Sequence, residues 1–129
     1  MKLLIINGPN LNLIGRREGG VYGKENLDQI INWVSENIER SKVDLIWFQS
    51  NSEGDIIDKL HWAIDNQIVG VIINTGAYTH YSYAIRDAIS SIEIPTIEVH
   101  LSNIGERENF RKKSVIRDVC KKQIKGKGK

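Results

Sequence analysis

The chain has 129 residues, which is enough for one domain with a single core and too short for two. Hydrophobic residues make up 40% and charged residues 26%, so a disordered chain and a fibrous repeat are both excluded. No apolar run reaches the roughly 18 residues of a membrane span, the apolar N-terminus is too short for a signal peptide, and a single cysteine cannot form an internal disulfide. We therefore expect a soluble, cytoplasmic protein.

The formal net charge of +2 is divided unevenly along the chain. Residues 111–129 hold nine of the eighteen Lys and Arg residues and one acid, so residues 1–110 keep nine bases against fifteen acids. Short lysine-rich ends are usually solvated, and no aromatic residue interleaves these lysines as a nucleic-acid groove would require. We expect one domain over residues 1–129 with a basic tail at about 119–129, and neither a nucleic-acid nor a membrane partner.

The N-terminal half of the sequence predicts strand, helix, strand and helix. A first strand is predicted at Leu3–Ile6, whose continuous apolar run is typical of a strand buried on both faces. A helix begins at the cap Asn26, and a second strand is predicted at Val43–Phe48 before a helix capped by Ser52. The apolar stripe of the first helix comprises Leu27, Ile30, Ile31, Val34 and Ile38. The buried stripe of the second helix comprises Ile56, Leu60, Ala63 and Ile64.

The C-terminal half continues the alternation. A third strand is predicted at Val69–Ile73, a third helix at Ser82–Ile92 and a fourth strand at Pro95–Val99. A short polar helical stretch is predicted over residues 105–118, and a weak fifth strand near Val119–Ile124. The residues expected to face inward on the third helix are Ala84, Ile85, Ala88, Ile89 and Ile92.

Strands separated by helices require crossover connections, which place a parallel sheet between two layers of helix. The sequence therefore predicts a three-layer α/β domain of the flavodoxin-like type. Such sheets bind ligands at the carboxyl ends of their strands. The segments that follow the predicted strands are 7–10, 49–52, 74–80 and 100–103. They carry amides, hydroxyls and two of the three histidines, which predicts a small polar ligand at this edge.

The common ligand sites of this architecture lack their motifs. Neither G-x-G-x-x-G for a dinucleotide nor G-x-x-x-x-G-K-S/T for a nucleoside triphosphate occurs, and no nucleophile elbow G-x-S-x-G follows a strand. The first and third strands end in Asn7 and Asn74, where a phospho-acceptor receiver needs carboxylates for magnesium. His80, Glu98 and His100 could ligate zinc, but three residues without a second acidic cluster are a weak metal signal. We predict no metal.

Two groups of residues suit proton transfer. Glu98 and His100 lie two positions apart at the end of a strand, so both point to one face and the carboxylate can orient the imidazole. A surface pair is the alternative. The loop 16–23 carries two arginines and Tyr22, and nearby arginine charge favours a phenolate that could act as a base. A loop without a catalytic role is the alternative there.

At these residues the sequence resembles the type II 3-dehydroquinate dehydratases. The resemblance runs from Leu3 to about Gly128 and rests on five long motifs. These are Ile6–Leu11, Gly15–Gly23, Gln49–Gly54, Asn74 with Gly76–His80, and Ile97–Asn103. The resemblance implies a flavodoxin-like fold and a hydro-lyase that needs no metal or cofactor. The implied reaction converts 3-dehydroquinate to 3-dehydroshikimate and water through an enolate, in the shikimate pathway of aromatic amino acid biosynthesis.

The resemblance also implies catalytic roles, carried over by motif. Tyr22 would remove the proton from the carbon next to the ketone, and Arg17 would hold Tyr22 as the phenolate. Asn10 would help to stabilise the enolate oxygen, through water, which is the electrostatic stabilisation that such chemistry needs. His100, oriented by Glu98, would protonate the departing hydroxyl.

The same resemblance implies how the substrate is bound. The substrate carboxylate would contact Asn74 and the backbone around Leu101 and Ser102. His80 and Arg111 would bind ring hydroxyls.

Assembly is implied as well. Asp87 would reach the site of a neighbouring subunit, which ties activity to a homo-oligomer in which trimers form a dodecamer. The alternative function is a non-catalytic small-ligand or partner-binding domain of the same fold, which kept the pocket.

Three positions depart from the family pattern. Gly19 replaces the usual proline of the loop, which should make the closed loop more costly in entropy. Tyr81 replaces a small hydroxyl residue after His80. The sequence stops at Lys129, where the family continues into a last amphipathic helix. We expect the C-terminal helix of the family to be absent and the sheet face beneath it to expose apolar surface.

Overall fold

The computed structural model describes residues 1–14, 26–38, 42–101 and 113–126. Within these ranges the chain forms five strands and three α-helices. In chain order these are β1 (Lys2–Asn7), α1 (Leu27–Glu36), β2 (Asp44–Gln49), α2 (Glu53–Ile64), β3 (Ile68–Asn74), α3 (Tyr83–Ile92), β4 (Thr96–His100) and β5 (Lys122–Lys125). Short 3₁₀ helices lie at Leu11–Leu13, Gly76–His80 and Arg117–Val119.

The five strands form one parallel sheet in the order β2-β1-β3-β4-β5. This is the strand order of flavodoxin-like sheets, so the predicted fold class is confirmed. Because every strand runs the same way, the carboxyl ends of β1, β3 and β4 lie side by side at one edge. The segments predicted to carry the site all follow these ends or the end of β2.

The three helices begin at the capping residues that the sequence predicts. Asn26 and Gln29 form a capping box, in which each side chain accepts the other's backbone N–H at 2.8 Å. Ser52 and Ser82 cap α2 and α3 by accepting the backbone N–H three residues further on, at 3.2 and 3.1 Å. The start of each helix therefore depends on hydrogen bonds between residues three positions apart, which can be predicted from the sequence.

The main core lies between the sheet and the pair α2 and α3. Alternation along each strand sends every second side chain to this face. Its buried members from β1 and β3 are Leu4, Ile6, Ile68, Val71 and Ile73. Its buried members from the helices are Ile56, Leu60, Ala63, Ile85, Ala88, Ile89 and Ile92. Val115 and Ile116 complete this core from the segment that precedes β5.

Three side-chain placements predicted from the helical stripes are wrong. Ile64 is 55% exposed, because a helix turns about 100° per residue and places Ile64 about 80° from Ile56. Ala84 is exposed for the same reason, about 100° from Ile85. Ile38 lies beyond the helix, which ends at Glu36. The stripes themselves are correct, and the errors lie at the helix ends.

The C-terminal segment follows the sequence signal in part. The strand predicted near Val119–Ile124 forms as β5, inside the segment predicted as a basic tail, and pairs with β4. The polar helical stretch predicted over 105–118 lies mostly outside the described residues. Its described end contains the 3₁₀ helix Arg117–Val119.

The opposite face of the sheet is covered by α1 and by the turn at residues 11–14. Leu11, Ile14 and Ile30 form a small second cluster there. Beside this cluster a cleft of about 200 Å³ exposes apolar side chains of the sheet, among them Ile72 and Val99. In the described ranges no further helix lies over this part of the face.

The turns after β1 and β3 are packed against each other at two glycines. The Gly8 N–H donates to the Asn74 carbonyl at 2.7 Å, and a Cβ at Gly8 would lie 2.6 Å from the Thr75 carbonyl oxygen. Gly76 has φ of 58°, and its Cβ would lie 2.9 Å from the Pro9 carbonyl oxygen. Backbone on both sides leaves no room for a side chain, so the glycines fix how closely the two turns approach.

This packing predicts the effect of a single methyl group. Gly8→Ala should lower the free energy of unfolding by more than about 2 kcal/mol, because the methyl meets rigid backbone. Gly54→Ala is the matched control, since its Cβ would meet only Ser52 Oγ at 3.8 Å and alanine favours the helix by up to about 1 kcal/mol. Urea unfolding of the two variants measures both changes. Equal stability of the two variants would contradict the packing argument.

Candidate active site

The carboxyl end of β4 carries a buried acid–imidazole pair. Strand alternation points Glu98 and His100 to one face, opposite the face that Val99 shows to the cleft beside α1. Glu98 is fully buried and His100 is 6% exposed, and His100 Nε2 donates to Glu98 Oε2 at 2.5 Å. The predicted contact therefore forms, and its burial rules out the alternative of a surface pair. Its catalytic role stays a prediction.

Two further side chains hold the Glu98 carboxylate. Ser114 Oγ donates to Oε2 at 2.7 Å, and Gln123 Nε2 donates to the same oxygen at 3.1 Å. The other oxygen, Oε1, has no hydrogen-bond partner among the described residues. Three donors thus converge on one oxygen of a carboxylate that is shielded from water.

The protonation state of Glu98 follows from these contacts. Burial alone would raise its pKa, because a charge is poorly solvated away from water. Hydrogen bonds from His100, Ser114 and Gln123, together with the charge of His100, more than offset burial and hold the pKa below the ordinary value of 4.5. Glu98 is therefore a carboxylate at neutral pH and an acceptor for His100.

A second histidine lies at the end of β3's exit turn. His80 Nδ1 donates to the Lys113 carbonyl at 2.7 Å, which joins this turn to the segment that carries Ser114. Beneath it the hydroxyls of Thr75 and Thr79 share a buried hydrogen bond of 2.6 Å. The turn is thereby fixed from within and from the neighbouring segment.

Two asparagines mark the ends of β3 and β1. Asn74 is 8% exposed, and its Oδ1 accepts the Gly76 N–H at 3.1 Å. Asn10 follows β1 with φ of 67°, a left-handed conformation that asparagine tolerates better than most residues. Its N–H donates to Asn51 Oδ1 at 2.9 Å, and its own side chain is exposed. An exposed amide at this edge is available to a ligand.

The other predicted site residues fall into two groups. Leu101 is half-buried and packs against the cluster of Leu11, Ile14 and Ile30. Asp87 is exposed on α3. The remaining predicted residues lie outside the described ranges, and they are Arg17, Tyr22, Ser102 and Arg111.

Neither Ser114 nor Gln123 is among the site residues predicted from the sequence. Gln123 pairs directly with Glu98 in the register of β4 and β5, so a polar residue in the weak fifth strand was the available signal. Ser114 had none, because its segment is irregular. Its position is set by Val115, whose N–H donates to the Thr79 carbonyl at 2.8 Å and whose carbonyl accepts from Arg86 at 2.7 Å.

The arrangement is suited to proton transfer. An ionised carboxylate can only accept, so His100 carries a proton on Nε2, and Nδ1 is the nitrogen that can give or take another. The pair lies at the strand ends where parallel sheets bind ligands. Among the described residues, no three His, Cys, Asp or Glu side chains are grouped to hold a metal ion. None of the helices in the described ranges is long and apolar enough to cross a membrane.

The low pKa of Glu98 predicts how stability depends on pH. The ionised folded form gives stability that is complete above about pH 4.5, the unfolded value, and is lost as the pH falls through the lower folded value. Glu98→Gln should lower the free energy of unfolding at pH 7 by about 1–3 kcal/mol and flatten the fall of that free energy as the pH drops below 4.5. Urea unfolding across this range measures both. Asp58→Asn, at an exposed acid of α2, should keep the wild-type slope.

Comparisons with known proteins agree with this fold. The family model of class II dehydroquinase matches residues 1–129. A 3-dehydroquinate dehydratase of Caldicellulosiruptor saccharolyticus is 55% identical over 127 residues, which cover 98% of this chain and 88% of that protein. One of Thermotoga neapolitana is 51% identical over 128 residues, which cover 99% and 86%.

Solved structures give the same result. The type II dehydroquinase of Butyrivibrio crossotus superposes with a TM-score of 0.95 at 52% identity, over 99% of this chain and 89% of that one. The type II dehydroquinase of Propionibacterium acnes superposes with a TM-score of 0.91 at 38% identity, over 98% and 87%. The resemblance seen in the sequence motifs is thus confirmed along the whole chain, and the chain belongs to the class II dehydroquinase family.

Proposed function

We propose that this chain is a 3-dehydroquinate dehydratase, which converts 3-dehydroquinate to 3-dehydroshikimate and water through an enolate. The observation that carries the proposal is the buried Glu98–His100 pair at the ligand-binding edge of the sheet. Loss of water from a hydroxy ketone needs an acid at the departing hydroxyl, and an imidazole held by a carboxylate can supply it. The relatives named above are 3-dehydroquinate dehydratases and type II dehydroquinases, which supports the same reaction for this chain.

The first step of the proposed mechanism is removal of a proton. Tyr22, as the phenolate stabilised by Arg17, takes the proton from the carbon next to the ketone. The electron pair moves to the ketone oxygen and forms an enolate. Asn10 helps to stabilise that oxygen through water, and its exposed amide at the end of β1 supports this role.

The second step is loss of the hydroxyl group. The enolate re-forms the ketone, the carbon–oxygen bond breaks, and His100 gives its proton to the leaving oxygen. Glu98 compensates the charge of the protonated imidazole and keeps its ring in one orientation. A positioned acid or base of this kind contributes about 10²–10⁴-fold in rate.

The substrate is held by groups at the same edge. Its carboxylate meets Asn74 and the backbone around Leu101 and Ser102, and its ring hydroxyls meet His80 and Arg111. The nearly buried position of Asn74 at the end of β3 supports a specific contact, because a buried amide that loses its partner is costly. A small polar substrate and a single cysteine are consistent with a cytoplasmic location, which stays a prediction. That the reaction needs no metal or cofactor also stays a prediction.

The function is tested by following the ultraviolet absorbance of the conjugated enone with the purified chain in a chelating buffer. We expect turnover without added metal. Tyr22→Phe should lower kcat by about 10²–10⁴-fold with little change in KM, because it removes the base and keeps the ring. Tyr81→Phe, which removes an exposed phenol, should retain wild-type kcat. Full activity of Tyr22→Phe would refute the assignment of the base, and binding without turnover by the wild type would favour the non-catalytic alternative.

A separate prediction concerns assembly into a trimer-based dodecamer. Asp87 is exposed on α3 in the single chain, which leaves it available to a neighbouring subunit's site. If sites are completed between chains, specific activity should fall on dilution together with the sedimentation coefficient. Asp87→Asn should lower activity in the undiluted assembly, and Asp118→Asn, at another exposed acid, should not. A fully active monomer would contradict the shared site.

A further inference from the structure

The three donors to Glu98 come from three separate parts of the chain. His100 lies on β4 itself, Ser114 lies in the segment before the last 3₁₀ helix, and Gln123 lies on β5. All three reach the same oxygen, Oε2, at 2.5, 2.7 and 3.1 Å. A carboxylate held from several directions cannot rotate without breaking hydrogen bonds that no water replaces, because Glu98 is fully buried.

The two donors other than His100 are themselves fixed. Val115, next to Ser114, is tied by its N–H to the Thr79 carbonyl and by its carbonyl to Arg86. Gln123 is tied by the pairing of β5 with β4, in which it lies directly opposite Glu98. Neither position depends on the imidazole of His100, so these donors hold the carboxylate independently of that ring.

We propose that Ser114 and Gln123 are positioning residues of the dehydration: they act through Glu98, which they hold as an ionised and oriented acceptor, so that His100 presents Nδ1 to the leaving hydroxyl. The kinetic part of this inference rests on the proposed function. Ser114 is the stronger of the two donors, because its O–H···O bond of 2.7 Å has the ordinary length for its type, whereas the N–H···O bond of Gln123, at 3.1 Å, is long for its type.

Ser114→Ala tests the inference in the enzyme. We expect kcat to fall about tenfold with KM within a few-fold, because the interaction supports the acid in the transition state more than it supports binding. Ser114→Thr keeps the hydroxyl and should recover most of the loss. Gln123→Leu should lower kcat by a smaller factor. Exchange of the proton next to the ketone into deuterated water should be less affected than dehydration, because that step precedes the one that needs His100.

The pH profile gives a readout that a purely structural role would not move. Ser114 is one of the groups that lower the pKa of Glu98, so its loss raises that pKa and should shift the acidic limb of kcat to higher pH. In the described residues His100 is the titratable group that lowers the pKa of Glu98, and the Cys120 thiol is the titratable group on which the Glu98 charge acts. Burial and the Glu98 charge raise the pKa of Cys120 to about 12, so the thiol stays neutral throughout the profile.

Thr96→Val is the matched structural control. Thr96 is buried on β4, two residues before Glu98 on the same face, and its hydroxyl donates to the Ile94 carbonyl at 3.0 Å and not to Glu98. We expect this variant to lose stability much as Ser114→Ala does while keeping wild-type kcat and pH profile. If Ser114→Ala behaves like Thr96→Val in both respects, the positioning role is refuted.

A measurement without substrate separates this inference from the proposed function. The hydrogen bond from His100 Nε2 to the ionised Glu98 carboxylate should give a downfield imidazole proton resonance in the wild type, which Ser114→Ala shifts or broadens. If the wild type fails to turn over 3-dehydroquinate, the function is wrong, and the resonance still decides the positioning. If Ser114→Ala does not fold, Gln123→Leu carries the same test. An unchanged resonance and unchanged kinetics in the folded variants would overturn the inference.

Discussion

The burial of one carboxylate organises the ligand edge of this protein. Glu98 is removed from water, and a charge in that position is tolerated only when hydrogen-bond donors replace the water. Those donors come from β4, from the segment at 113–116 and from β5, so the three parts must be correctly packed for the charge to be stable. The packing of the C-terminal segment and the stability of the ionised Glu98–His100 pair therefore depend on each other.

The same strand serves both faces of the sheet, which explains how a small domain builds a site beside its core. Glu98 and His100 point to the face covered by α2 and α3, where Ser114 lies beside core residues. Val99 and Leu101 point to the opposite face, toward α1 and the apolar cleft. Because successive side chains of a strand point to opposite faces of the sheet, β4 alone separates the proton-transfer groups from the apolar cleft.

The parts that could be predicted from the sequence are those encoded by neighbouring residues. The strands, the caps Asn26, Ser52 and Ser82, and the contact of Glu98 with His100 all depend on spacings of two to four positions. Ser114 and Gln123 lie 16 and 25 positions from Glu98. The hydrogen bonds of Val115 bring Ser114 to Glu98, and the pairing of β5 with β4 brings Gln123 to it. The hydrophobic periodicity of a sequence does not predict contacts between residues so far apart along the chain. The roles of Tyr22, Arg17, Ser102 and Arg111 stay predictions, because they rest on the family motifs alone.

The close packing of the turns after β1 and β3 has a thermodynamic consequence for recognition. Gly8 and Gly76 bring the two backbones into direct contact, and the hydrogen bond from Gly8 to the Asn74 carbonyl joins them. These two packed turns are already ordered when no ligand is bound, so the protein loses little conformational entropy there on binding. A hydrogen bond that a ligand makes to Asn74 therefore contributes to affinity with little offset from immobilising the protein.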